Sequence, residues 1–67
     1  MNNKQRLAFI EKNHAELYRL LEMKVPYAIE NTDFMTPADA DDCNDAVDYY
    51  CEKHNITDPE LRKLLRF

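Results

Sequence analysis

Apolar residues recur at the three- and four-residue steps of an amphipathic helix in three stretches of the sequence. The first stretch runs from Lys4 to Lys24 and contains no Gly, no Pro and few β-branched residues, a composition that a helix tolerates well. Its expected core-facing stripe is Leu7, Ile10, His14, Leu17 and Leu21. We therefore predict one long helix, which Pro26 ends because it lacks an amide proton and its ring disfavours the α conformation at Val25.

A second apolar set lies on another side of this first helix and consists of Phe9, Leu20 and Met23. The helix is thus apolar over more of its circumference than one small partner helix would cover. The connector from 26 to 35 is also apolar, since it contains Tyr27, Ile29, Phe34 and Met35. We expect a packed connector, with a single helical turn from Pro26 to Asn31. Either this connector or a second copy of the chain, in a homodimer, would cover Phe9, Leu20 and Met23.

The second predicted helix begins with clear signals after the connector. Thr36 is a suitable N-cap, Pro37 suits the first helical position, and Asp39 completes an acidic variant of the capping box. Its predicted core stripe is Ala40, Cys43, Val47, Tyr50, Cys51 and His54. Asn55 is the expected left-handed residue at the end of this helix, because the chain contains no glycine.

The opposite face of this second helix is lined with carboxylates. Asp41, Asp45, Asp48 and Glu52 follow at steps of four, three and four, with Asp42 at the edge and Tyr49 beside the row. The row is about 16 Å long at the standard helical rise. Like charges at these spacings oppose helix formation by a few tenths of a kcal/mol per pair. Two interpretations remain open: a recognition surface for an Arg/Lys-rich protein, or a solvated face that only aids solubility.

A short third helix is predicted at the end of the sequence. Thr57 and Glu60 have the spacing of a capping box, and Pro59 lies in the first turn. Leu61, Leu64 and Leu65 form its apolar stripe, while Arg62, Lys63 and Arg66 remain outside. The chain is therefore expected to form one all-α domain, residues 1–67, with a long N-terminal helix, a packed connector, an acidic second helix and a short C-terminal helix. A core this small gives limited stability.

The net charge of −4 conceals a local concentration of acid. Residues 1–24 contain five bases and three acids, residues 25–52 contain eight acids and no base, and residues 53–67 contain four bases and two acids. The middle block would repel phosphate, which argues against direct nucleic-acid binding and suits a basic protein surface. The alternative is a helix-turn-helix, because a short connection precedes the basic residues Arg62, Lys63 and Arg66.

Candidate catalytic and metal-binding chemistry is sparse. With no Gly and no Ser there is no phosphate-binding loop, and carboxylates on a convex helix face have no pocket to shift their pKa. Cys51 and His54 are three residues apart, but with Cys43 and His14 they lack the paired CxxC of a zinc site. Cys43 and Cys51 would lie about 12 Å apart on one helix, too far for a disulfide. We expect no enzyme activity, no metal and no cofactor.

No apolar run approaches the length of a membrane span, and no secretory signal is readable, so the expected compartment is the cytoplasm. The predicted function is non-enzymatic binding by a small acidic modulator or inhibitor. Its docking residues would be Asp41, Asp42, Asp45, Asp48, Tyr49 and Glu52, and its partner a basic surface of a larger protein, including one that normally holds nucleic acid. Small phage and mobile-element proteins that act against host machinery offer an analogy of size and charge. The alternatives are a homodimeric assembly module that uses Phe9, Leu20 and Met23, and a small DNA-binding domain.

Overall fold

A computed structural model describes residues 1–67, and every regular element in it is helical, which confirms the all-α class. The elements are α1 (Asn3–Asn13), α2 (Ala15–Lys24), α3 (Pro26–Glu30), a 3₁₀ turn (Thr32–Phe34), α4 (Pro37–Lys53) and α5 (Pro59–Leu65). Helix α4 lies against α2, while α5 contacts both α1 and α4.

The N-terminal helical region is divided at His14, where the structure differs from the prediction of one continuous helix. His14 has φ −140° and ψ 60°, so it ends α1 and begins α2. Its ring Nδ1 lies 2.9 Å from the hydroxyl of Tyr50, in α4. Histidine and the preceding Asn13 are weak helix formers, so a tertiary contact can outweigh their local preference for helix.

The same backbone geometry recurs at two further junctions. Val25 (φ −138°, ψ 63°) separates α2 from α3, and Asn31 (φ −129°, ψ 62°) separates α3 from the 3₁₀ turn. At each junction one residue donates its N–H to the preceding helix and accepts a hydrogen bond from the next element through its carbonyl oxygen. The first half of the chain therefore turns in steps around the core, and the N–H and carbonyl oxygen of each of the three junction residues are hydrogen-bonded.

The core consists of 13 buried residues, all of them hydrophobic. From the N-terminal region come Leu7, Ile10, Leu17 and Leu21, which are four of the five residues in the predicted stripe. From α4 come Cys43, Ala46, Val47, Tyr50 and Cys51, and α5 adds Leu65. Because the stripes of α2 and α4 face each other, the acidic side of α4 is directed away from the core.

Helix α4 begins and ends as predicted. Thr36 Oγ1 accepts a hydrogen bond from the N–H of Asp39, and the Asp39 carboxylate accepts one from the N–H of Thr36. At the other end, Asn55 has φ 54°, and the N–H of Ile56 donates to the carbonyl of Cys51. This pair of backbone features is the Schellman ending, with Asn in place of the usual Gly.

The N-cap of α5 was predicted wrongly. The side chain of Asp58, one residue after Thr57, accepts a hydrogen bond from the N–H of Glu60 and caps the helix. Pro59 consequently lies at the first helical position, where its missing N–H has no cost. The end of α5 is held by Arg6, whose Nε donates to the carbonyl oxygen of Leu64 at 2.8 Å.

The connector forms the predicted turn but covers less apolar surface than expected. Pro26 begins α3, and Ile29 is buried against the core. Tyr27 and Phe34 are exposed, however, and Met23 remains 81% exposed. Of the two alternatives predicted for covering Met23, the connector therefore does not do so.

Candidate protein-binding site

The outward face of α4 carries four solvent-exposed carboxylates: Asp41, Asp42, Asp45 and Glu52. They lie on one unbroken helix of 17 residues whose opposite side is fixed in the core. The backbone that positions them is therefore held by burial of Cys43, Val47 and Cys51, and does not depend on the carboxylates themselves. We call these four residues, together with Tyr49, the acidic face.

Asp48 belongs to the same row in the sequence but is engaged within the chain. Its Oδ1 accepts a hydrogen bond from Nη1 of Arg66 at 2.5 Å and lies 3.9 Å from Nη2 of Arg62. Sequence reasoning placed both arginines in solvent, since the packing angle between α4 and α5 cannot be read from helical spacing. Asp48 is thus partly neutralised by two arginines of the same chain, although 41% of its side chain remains exposed.

Asp45, in contrast, has only a weak internal contact. Its carboxylate lies 4.0 Å from Nζ of Lys24, and its side chain is 70% exposed. An exposed ion pair at this distance contributes little, because both charges remain hydrated. Asp45 is therefore more exposed and more weakly paired within the chain than Asp48, one turn further along α4.

An apolar groove of about 400 Å³ runs beside the acidic face, between α2 and α4. Its lining is Leu20, Met23, Lys24, Asp45, Ala46 and Tyr49. The two largest exposed apolar surfaces in it are those of Met23 and Tyr49, the latter 57% exposed. The sequence analysis grouped Leu20 and Met23 in one possible dimer contact and placed Tyr49 beside the carboxylate row, but only the packing of α2 on α4 joins all three in one groove.

Phe9, the third residue of the predicted dimer contact, lies elsewhere. Its ring is 5.8 Å from that of His14, centroid to centroid, and it packs partly buried against the core. It does not line the groove that contains Leu20 and Met23. The three residues therefore do not form one continuous contact surface with the groove at its centre.

A cluster of polar side chains joins the start of α2 to the end of α4. His54 Nε2 lies 2.5 Å from Oε2 of Glu16, and the Lys53 ammonium lies 3.5 Å from the same oxygen. The hydrogen bond from His54 is the main cause that lowers the pKa of Glu16. Tyr50, which contacts both histidine rings, has its pKa raised by burial. The contacts of this cluster connect α2 to α4. Because its pKa is raised, the Tyr50 hydroxyl stays protonated at neutral pH.

The two cysteines are free and buried in the core. Burial raises the pKa of the Cys43 thiol to about 11, and the carboxylates of Asp39 and Asp42 add to the effect. Burial also raises the pKa of Cys51. Because the thiolate is the reactive form of cysteine, these thiols are poor nucleophiles at neutral pH.

No group of three or more His, Cys, Asp or Glu side chains is arranged to hold a metal ion. None of the helices combines the length and apolarity required to cross a bilayer. Comparisons with protein-family models, curated proteins and solved structures find no match to this chain.

Proposed function

We propose that this protein is a non-enzymatic binding protein, a small acidic modulator that docks the acidic face of α4 on a basic surface of a larger protein. The observation that carries the proposal is the contrast between Asp45 and Asp48. One carboxylate is paired within the chain, while its neighbour and three others face solvent on the same rigid helix. Charges that the fold leaves without strong internal partners are available for complementary charges on a partner.

The arrangement also opposes stability, which supports a role in binding. Asp41 and Asp45 are four residues apart, and Asp48 and Glu52 repeat that spacing, so repulsion acts along the helix. A solvated surface that only aids solubility does not need its charges in register on one face. Carboxylates aligned on one face of a helix can pair with several cations of a partner surface at the same time.

The basic surface we propose is of the type that holds nucleic acid, and the role is that of an inhibitor or competitor, as in small phage-like proteins. Pairing of Asp48 with Arg62 and Arg66 makes the spacing of the other carboxylates irregular, so the match to a phosphate backbone is partial. This protein and the nucleic acid would then compete because both occupy the same basic groove of the partner, without close mimicry of the phosphate spacing. Electrostatic attraction of this type mainly accelerates association and selects the partner.

The experiment is capture of partners from cell lysate on the immobilised protein, compared among three forms. The docking variant is Asp42→Lys with Asp45→Lys, and the control is Asp33→Lys, an exposed aspartate outside α4. We expect a partner that binds the wild type and the control but not the docking variant. Binding should weaken between about 0.1 M and 1 M salt, as the Debye length falls from about 10 Å to about 3 Å.

Addition of a DNA or RNA oligonucleotide to the loaded resin tests the second part of the proposal. Release of the captured partner is expected if the acidic face and the nucleic acid share one basic groove. If the docking variant captures the same partners as the wild type, the acidic face is not the binding surface and the proposal fails. If the oligonucleotide releases nothing, the acidic face can still bind a basic surface, but not one that holds nucleic acid.

A further inference from the structure

We propose that the groove between α2 and α4 receives the apolar side of an amphipathic helix from the partner, while basic residues flanking that side pair with the acidic face. The inference rests on the proposed function and specifies the partner as a basic amphipathic helix. It unites two observations, an exposed apolar groove whose lining includes Asp45, and exposed carboxylates on the same face of α4 that have at most a weak internal ion pair.

The groove provides the anchoring part of this surface. Met23 of α2 and Tyr49 of α4 line it with most of their surface in solvent, and the less exposed Leu20 and Ala46 also line it. Tyrosine and methionine are enriched in the buried centre of protein interfaces, where one or two large side chains dominate the affinity. A volume of about 400 Å³ gives room for a small number of apolar side chains.

The carboxylates surround this anchor at helical spacing. Relative to Tyr49, Asp42 lies two turns before, Asp45 one turn before, and Glu52 one turn after. Side chains at these spacings lie on the same side of a helix as the reference residue. A partner helix lying along α4 would therefore present an apolar residue to the groove and Lys or Arg residues about one turn before and after it.

Charge complementarity decides between this partner and a second copy of the chain. A two-fold symmetric dimer uses the same patch on both subunits. Such a dimer across the groove would bring Asp42, Asp45 and Glu52 towards the same carboxylates of the other copy. Like charges placed together across an interface are strongly disfavoured, whereas a basic helix converts the same carboxylates into attractive contacts. Seating of an amphipathic helix in a groove is a common mode of peptide recognition.

The test uses three synthetic helical peptides of equal length. The first carries Leu on one face and Lys on both flanks; the second keeps the Lys residues and replaces each Leu by Gln; the third keeps the Leu residues and replaces each Lys by Glu. Affinities are measured by fluorescence anisotropy, and the contact site is located from amide chemical shifts in two-dimensional NMR spectra. Analytical ultracentrifugation of the protein alone tests the second copy as occupant.

We expect the Leu/Lys peptide to shift the amide signals of Leu20, Ala46 and Tyr49, and to bind about tenfold more tightly than the Gln/Lys peptide, because one buried apolar anchor accounts for a factor of this order. The Glu/Leu peptide should not bind. Equal affinity for the Leu/Lys and Gln/Lys peptides would overturn the groove proposal and leave the proposed function standing. Failure of both Lys peptides to bind would count against the acidic face itself.

Variants of the protein sharpen the result. Met23→Gln should weaken binding of the Leu/Lys peptide several-fold without affecting the fold, since Met23 is 81% exposed. The control is Phe34→Gln, which should leave the affinity unchanged. Phe34 is 71% exposed and lies outside the groove. Lys24→Glu removes the one cation in the groove and should strengthen binding. If Lys24→Glu weakens binding, or if the protein forms a stable dimer that Met23→Gln disrupts, the occupant is not a basic helix.

Discussion

Neutralising Asp48 and neutralising Asp45 should change the stability of the fold in opposite directions, although the two residues lie three positions apart on one helix. Asp48→Asn removes the charge that faces Arg66 and Arg62, which connect α5 to α4. Asp45→Asn removes a charge whose nearest internal cation is Lys24 at 4.0 Å. Comparison of the two variants therefore distinguishes a carboxylate that stabilises the fold from one that contributes little to it.

The magnitudes follow from the ion pairs and the like-charge neighbours. Exposed ion pairs contribute about 0.2–1 kcal/mol each, and like charges three or four residues apart cost about 0.2–0.5 kcal/mol. Asp48→Asn loses two pairs and relieves two repulsions, so we expect net destabilisation of about 0.5 kcal/mol. Asp45→Asn relieves repulsion from Asp41, Asp42 and Asp48 and loses only the 4.0 Å contact with Lys24, so we expect stabilisation of about 0.5–1 kcal/mol.

The assay is thermal and urea unfolding followed by circular dichroism, with Asp33→Asn as the control for loss of one exposed negative charge. A difference of about 1 kcal/mol between the two variants corresponds to about 4–8 °C in Tm for a domain of this size. The difference should shrink in about 1 M salt, where the Debye length is only about 3 Å.

The reasoning is refuted if Asp45→Asn destabilises the fold as much as Asp48→Asn does. Asp45 would then be held within the chain and would not be available to a partner. If Asp48→Asn raises Tm instead, the contacts of Arg62 and Arg66 with Asp48 contribute less than the repulsion along α4. A partner contact through Asp48 would in that case be as reasonable as one through Asp45.

Three further outcomes can be measured on the same protein. The hydrogen bond from His54 lowers the pKa of Glu16, so this contact stabilises the fold at pH values above the pKa of Glu16 in the unfolded chain. The stabilisation is lost as the pH falls through the pKa of Glu16 in the folded protein. Glu16→Gln should therefore flatten the acid side of a plot of Tm against pH. Burial raises the pKa of both Cys43 and Cys51, so Ellman's reagent at neutral pH should label thiols only as urea unfolds the chain, and rapid labelling in native buffer would show that the core opens locally. At φ 54°, Asn55→Ala should cost about 1 kcal/mol in urea unfolding while Asn55→Gly should not, and equal stability of the two variants would contradict the left-handed conformation.

Local sequence rules predicted the elements that depend on local contacts. The capping box of Thr36 and Asp39, the turn that begins at Pro26 and the left-handed Asn55 are each satisfied by residues within a few positions of one another. The core stripe of α4 follows from the sequence in part: Cys43, Val47, Tyr50 and Cys51 are buried as predicted, whereas His54 is exposed and Ala46 is buried without having been predicted.

Helix boundaries were predicted less accurately where two neighbouring residues, or two conformations of one residue, are locally acceptable. Thr57 and Asp58 are both acceptable N-caps for α5, and Pro59 favours Asp58, because the residue before a proline is disfavoured in the α conformation and proline suits the first helical position. His14 could continue a helix or end one, and its bond to Tyr50, 36 residues further along, determines that it ends α1. Contacts at such separations cannot be read from periodicity.

The sequence by itself determined that α4 is an amphipathic helix with carboxylates on one side, because helical spacing and end signals act within a few residues. Only the tertiary structure decided which carboxylates are free, since that depends on the angle at which α5 brings Arg62 and Arg66 to Asp48. It likewise decided that Met23 and Tyr49, from separate helices, share one groove. Periodicity fixes the direction of a side chain on its own helix, whereas its neighbours depend on how the helices pack.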